Sequence, residues 1–109
     1  MNSNVAWLLI FLAGILEIVW ALSMKQSAGF SRFLPAAVCV VSMIASFILL
    51  LFSLKWLEVG TAYAVWTGIG AAGTAFFGIL LFKEPATAAR IVFIALIIIG
   101  IAGLKNTSH

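Results

Sequence analysis

A single carboxylate, Glu17, lies inside the first long apolar stretch of the chain. From Val5 to Leu22 it is the only ionisable side chain, and a charge at mid-bilayer costs about 2.5–3.5 kcal/mol on insertion scales. Burial disfavours the ionised form of a carboxyl group, so a group in this position is suited to binding and releasing a proton. Ionisable residues inside a membrane usually mark an ion or substrate pathway. The alternative is a structural carboxyl group that hydrogen-bonds to a neighbouring helix.

Two neighbours of Glu17 share its helix face. Gly14 precedes it by three residues and Trp20 follows it by three, a spacing that places side chains on one side of a helix. The glycine leaves room for a ligand beside the carboxylate, or else it serves close helix packing. The tryptophan offers an apolar plane and one N–H donor. We therefore expect these residues to line one site.

The third apolar segment, "GTAYAVWTGIGAAGTAFFG", carries Tyr63, Trp66 and Thr67 at helical spacing. An aromatic residue near the end of a span is usually an interfacial anchor, which remains the alternative for Tyr63. Trp66 and Thr67 lie deeper. Aromatic faces and a carboxylate together make a cation site through cation–π attraction and charge-assisted hydrogen bonds. The small residues from Gly68 to Gly73 would also let this helix bend.

The stretch "VVSMIASFILL" of the second apolar segment contains two hydroxyl groups, those of Ser42 and Ser46. Serine side chains in helices often bond to their own backbone. The alternative is that one of the two orients the carboxylate of Glu17.

The composition indicates an all-α integral membrane protein. Of 109 residues, 65% are hydrophobic and 8% are charged, whereas soluble domains carry roughly 25% charged residues, and the mean hydropathy is +1.28. Glycine, proline and charged residues divide the chain into four apolar segments, each near the ~20 residues of a spanning helix. We expect one domain over residues 1–109 with transmembrane helices at about residues 5–24, 33–54, 60–82 and 88–104.

Several function classes are excluded by what the sequence lacks. It contains no Ser–His–Asp set, metal-ligand cluster, phosphate-cradling loop or cofactor motif, so we expect no enzyme, no cofactor and no metal. The single cysteine, Cys39, rules out an internal disulfide. Dispersed basic residues argue against nucleic-acid binding, and we expect Glu58 and Glu84 to be solvated loop charges.

The basic residues give only a weak orientation signal. With four spans, one side carries two of them and the other side carries four, namely Lys55 and Lys105 against Lys25, Arg32, Lys83 and Arg90. A bias this small is compatible with insertion in both orientations. A bundle of four helices is also too thin to enclose a hydrated cavity, which favours an oligomer, most simply a dimer.

The motifs "AGILEIVWALSMKQSAGFSR", "GTAYAVWTGIG" and "GIAGLK" closely resemble those of the small multidrug resistance transporters. The resemblance covers essentially the whole chain. Trp20 in "EIVWA" and the "WTGIG" form are similar to the guanidinium exporter subtype, whereas the multidrug branch typically has a small residue at the position of Trp20.

The resemblance implies an antiparallel, dual-topology homodimer in the bacterial inner membrane that exchanges protons for guanidinium-type cations by alternating access. It implies that Glu17 is the carboxylate shared by proton and cation. The residues that would line or tune this site are Gly14, Trp20, Ser46, Tyr63 and Trp66. Two alternatives stay open: a broader exporter of hydrophobic or quaternary ammonium cations, and a structural or regulatory membrane subunit in which Glu17 only hydrogen-bonds.

Overall fold

The computed structural model describes residues 3–107, which form four α-helices. These are α1 (Ser3–Gln26), α2 (Phe33–Ser53), α3 (Val59–Phe82) and α4 (Ala88–Thr107). Each is long and apolar enough to cross a membrane, which confirms the prediction of an all-α protein with four transmembrane helices. The last helix continues through the polar residues after Leu104, with Lys105 in its final turn, where a cation interacts favourably with the helix dipole.

Helix α1 is the centre of the bundle. It packs against both α2 and α3, while α2 and α3 barely touch and α4 approaches only α3 among the helix backbones. The Cα atoms span 42 × 34 × 16 Å, so the chain is a flat layer about two packed helices thick, because packed helix axes lie about 8–10 Å apart and Cα atoms about 2.3 Å from each axis. No residue of α4 is buried.

The core lies where the first half of α1 meets α3. Ala6, Ile10 and Ala13 are fully buried on α1, and their spacing forms one apolar stripe of a helix. They pack with Ala62 and Val65 of α3. The same stripe continues by one turn to position 17, so the packing that buries Ala13 also directs Glu17 toward α3.

The connections between consecutive helices are short, and they make close neighbours of α1 and α2 and of α3 and α4. The α1–α2 turn places Ala28, Gly29 and Phe30 at positive φ, and the buried Ser27 hydroxyl donates to the Met24 carbonyl at 2.7 Å. At the end of α3, Lys83 adopts the left-handed conformation, with φ 55°. The chain reverses there, and this reversal positions the residues that follow α3.

Candidate functional site

Glu17 lies against the backbone of α3 at Gly70. A Cβ atom added to Gly70 would overlap the carboxylate of Glu17, so the absence of a side chain at position 70 creates the space that the carboxylate occupies. The Oε1 atom of Glu17 is buried and accepts no hydrogen bond from residues 3–107. A buried carboxylate oxygen without a donor is costly, and it leaves Glu17 free to accept a ligand.

The carboxylate of Glu17 borders a cavity of about 420 Å³ between α1, α3 and the α3–α4 connection. Its α3 wall consists of small residues in helical register, because positions 67, 71 and 75 and positions 70 and 74 are each one turn apart. The hydroxyl-bearing Thr67 and Thr74 stand in this wall. The lining residues are Glu17, Ala21, Thr67, Gly70, Ala71, Thr74, Ala75, Glu84 and Arg90. The cavity thus leaves space for a small molecule beside a carboxylate.

A second polar cluster, formed by Ser46 and Trp66, ties three helices together. The Ser46 hydroxyl of α2 donates to the Ala13 carbonyl of α1 at 2.7 Å, and Trp66 Nε1 of α3 donates to Ser46 Oγ at 2.9 Å. The ring of Trp66 also packs against Phe47 and Tyr63, with centroids 5.4 Å apart in each case. Since Ala13 is one turn from Glu17, the Ser46–Trp66 cluster adjoins the carboxylate without bonding to it.

Neither Ser42 nor Ser46 of α2 orients Glu17 in this structure. Ser42 donates to the carbonyls of Val38 and Cys39 on its own helix, as the backbone-bonding alternative predicts. The hydroxyl of Ser46 donates to the Ala13 carbonyl and accepts from Trp66 Nε1.

Gly14 and Trp20 flank Glu17 on α1 but lie outside the cavity lining. A Cβ atom on the buried Gly14 would lie 2.7 Å from Ile69 Cγ2, so Gly14 allows α1 and α3 to pack closely. The Nε1 atom of Trp20 is buried and donates to no acceptor within residues 3–107. The cavity therefore brings together Glu17 and Thr67, while Ser46 and Trp66 form a neighbouring cluster with the half-exposed Tyr63 beside them.

Sequence reasoning missed the role of Glu84 and Arg90. Glu84 was expected to be a solvated loop charge, but its Oε1 accepts a hydrogen bond from Arg90 Nη2 at 2.7 Å, and both line the cavity that contains Glu17. The left-handed conformation of Lys83 turns Glu84 back toward α3. The backbone N–H of Glu84 donates to the Gly78 carbonyl at 3.3 Å. The only signal of this ion pair in the sequence was that the acidic Glu84 precedes Pro85 and the basic Arg90 follows it. Glu58, in contrast, is exposed.

Within the described residues, this site contains no cluster of side chains that could hold a metal ion. Among residues 3–107, no three His, Cys, Asp or Glu side chains come together, and the cavity holds two carboxylates, those of Glu17 and Glu84.

The sequence model of the Small Multidrug Resistance protein family matches residues 5–97. This chain belongs to that family. Its relatives include proteins named guanidinium exporter. These findings confirm the expected family and the expectation that the protein is a transporter rather than an enzyme.

Three of these relatives align over nearly their whole length. The guanidinium exporter of Yersinia pseudotuberculosis serotype I (strain IP32953) is 52% identical over 103 residues, which are 94% of this chain and 99% of the relative. Those of Escherichia coli (strain K12) and Salmonella typhimurium (strain LT2) are 50% and 48% identical over 104 residues, 95% of this chain and 99% of each relative. This small multidrug resistance protein is thus a multi-pass membrane transporter.

Proposed function

We propose that this chain exports guanidinium and small guanidinyl cations in exchange for protons, and that proton and cation compete for Glu17. The observation that carries the proposal is the buried Oε1 of Glu17, which has no donor from residues 3–107, in a side chain that lies against Gly70 and lines a cavity. The chain supplies the carboxylate and the space beside it but not the partner. A ligand must supply the missing donor.

Competition between two positive partners couples their movements. A carboxylate within the membrane needs a positive charge or a proton to offset the cost of burial. Guanidinium is planar and presents N–H groups as a fork that matches a carboxylate, while a proton neutralises the same group directly. Because Glu17 cannot hold both fully at once, arrival of one releases the other, which gives exchange when the site opens to each side in turn.

The surrounding residues suit a small planar cation. We propose that the aromatic rings near Glu17 provide cation–π faces and that the Ser46–Trp66 cluster keeps the neighbouring helices in register. The residues proposed to line or tune the site are Gly14, Trp20, Ser46, Tyr63, Trp66 and Thr67; of these, Thr67 lines the cavity itself. The names of the 48–52% identical relatives support guanidinium as the substrate.

The proposed working unit is an antiparallel, dual-topology homodimer in the bacterial inner membrane. A layer only 16 Å thick cannot surround a hydrated site by itself, and α4 presents an apolar surface with no buried residue. A second copy would cover the site and place two Glu17 carboxylates across one cavity, where their mutual repulsion favours uptake of a proton or a cation. The helical spans suit the inner membrane, because single-chain proteins of the bacterial outer membrane are typically β-barrels.

Guanidinium uptake into liposomes containing the full chain tests the proposal. A proton gradient should drive uptake by the wild type, and guanidinium should release protons from the purified protein. Glu17→Gln should abolish both signals because it removes the shared carboxylate. Glu58→Gln, at an exposed position, is the matched control and should retain both.

Two other results would redirect the assignment. Equal transport of guanidinium and of a bulky aromatic cation would favour a broader exporter of hydrophobic or quaternary ammonium cations. Proton release that is unchanged in Glu17→Gln would contradict a role of Glu17 in exchange and would favour a structural or regulatory subunit.

A further inference from the structure

The cavity beside Glu17 has a second carboxylate, Glu84, at its other end. Glu17 lies against Gly70, and the carboxylate of Glu84 lies so close to Gly78 that a Cβ atom there would overlap it. These two glycines are eight positions apart on α3, which corresponds to about 12 Å along the helix axis. Glu17 and Glu84 therefore both line the cavity, and each carboxylate fits against α3 only because the residue it faces is glycine.

Glu84 is already paired with a guanidinium group, that of Arg90. The ion pair has a distance of 2.7 Å between Arg90 Nη2 and Glu84 Oε1. It is a single contact rather than the paired contacts of a fork on a carboxylate. Arg90 Nε is buried and donates to no acceptor within residues 3–107, so Arg90 leaves part of its bonding capacity unused.

We propose that Glu84 is a second binding site for guanidinium-type cations on the path to Glu17, and that Arg90 closes it by occupying the carboxylate. The cation class rests on the proposed function. A free guanidinium can make two parallel hydrogen bonds where Arg90 makes one, so it can displace Arg90 and enter the cavity. Arg90 then acts as an internal competitor that keeps the entrance shut when no cation is present.

The proposal predicts that substitutions of Glu84 and of Arg90 change the KM for guanidinium uptake in opposite directions. Glu84→Gln removes the entrance carboxylate and should raise the KM for guanidinium uptake about tenfold, the effect of losing one charge-assisted hydrogen bond. Arg90→Gln removes the competitor and should lower the KM severalfold. The double variant Glu84→Gln/Arg90→Gln should behave like Glu84→Gln, because Arg90 acts through Glu84. The maximal rate should change little in all three.

A merely structural ion pair would give a different pattern. Loss of either partner would then damage the same turn and move the KM in the same direction, so equal signs or unchanged KM values would overturn the proposal. Glu58→Gln and Arg32→Gln are matched controls, since both side chains are exposed and lie outside the cavity lining. A wild type that transports no guanidinium would instead contradict the proposed function.

Calorimetric titration of guanidinium into purified protein tests the second site without transport. In a Glu17→Gln background the first carboxylate is absent, and removal of Arg90 should expose Glu84. The Glu17→Gln/Arg90→Gln protein should therefore bind guanidinium, and additional Glu84→Gln should remove that binding. If these two proteins give identical titrations, the second site does not exist, whatever the transport result.

Discussion

The Ser46–Trp66 cluster and the Glu17 carboxylate are neighbours in one helix bundle, yet they differ in how far their polar groups are satisfied. In the cluster, the hydroxyl both donates to the Ala13 carbonyl and accepts from the indole N–H. One turn further along α1, the buried oxygen of Glu17 has no donor from residues 3–107. Both sites are buried between helices, so burial alone does not explain the difference.

We interpret the difference as one between a structural cluster and the proposed binding site. A polar group whose partners are complete holds helices together, because breaking it would leave unpaired groups in an apolar medium. A polar group left unpaired raises the free energy of the ligand-free protein. Binding of a ligand that pairs with the group lowers this free energy again. We infer that the chain fixes α1, α2 and α3 at Ser46 so that Glu17 can remain unpaired without the bundle losing its register.

After the complete loss expected for Glu17→Gln, the largest effect should come from Gly70→Ala. The added Cβ would overlap the carboxylate of Glu17 and push it out of its position, which should lower guanidinium uptake at least about tenfold, the equivalent of 1.4 kcal/mol. Uptake into liposomes measures this effect.

The control for Gly70→Ala is on the same helix. A Cβ added to Gly60 meets no atom within 4 Å, so Gly60→Ala should transport as the wild type does. Alanine favours a helix more than glycine does, so lower activity in Gly70→Ala cannot come from a weaker helix. Full activity in Gly70→Ala would show that the position of Glu17 is not critical.

A smaller effect, on stability rather than transport, is expected for Ser46→Ala. The substitution leaves the Trp66 N–H without its acceptor and removes the interhelical bond to the Ala13 carbonyl. The free energy of unfolding should fall by about 1 kcal/mol, within the range of interhelical hydrogen bonds in membrane proteins. Unfolding in mixed detergent micelles with increasing SDS measures this change.

Ser42→Ala provides the comparison for Ser46→Ala. Its hydroxyl bonds only to carbonyls of its own helix, which already accept backbone hydrogen bonds. Its stability should therefore stay within about 0.5 kcal/mol of the wild type. Equal losses for the two serines would mean that the cluster does not fasten the three helices.

The smallest effect is expected for Tyr63→Phe. The ring of Tyr63 packs on Trp66 and the side chain is 57% exposed. Phenylalanine keeps this ring contact, so the same SDS titration should show a change of less than about 0.5 kcal/mol. A larger loss would place the Tyr63 hydroxyl within the fastening cluster.

The four spans and the central carboxylate could be predicted because each depends on local sequence. Apolar segments of about 20 residues predict spanning helices without knowledge of their neighbours, and Glu17 is conspicuous as the one acid in such a segment. The helical spacing of Tyr63, Trp66 and Thr67 also indicated one face of the third segment, and Thr67 lines the cavity with Glu17.

Contacts that depend on backbone atoms and on chain reversal could not be predicted. The acceptor for Ser46 is the carbonyl of Ala13, and a backbone carbonyl is present at every position of the sequence. The pairing of Glu84 with Arg90 depends on the left-handed conformation of Lys83, which a lysine rarely adopts. Neither feature leaves a pattern of residue types.

The central position of α1 in the bundle has a consequence for the order of assembly. The helix that is synthesised before the other three is also the one that carries Glu17 and packs against both α2 and α3. The space that accommodates its carboxylate is provided by Gly70 of α3, which the ribosome adds only after all of α2. During that interval the Glu17 side chain of the nascent chain contacts lipid or the translocation machinery. Synthesis of α3 is therefore the step at which the Glu17 carboxylate can first be buried within the protein.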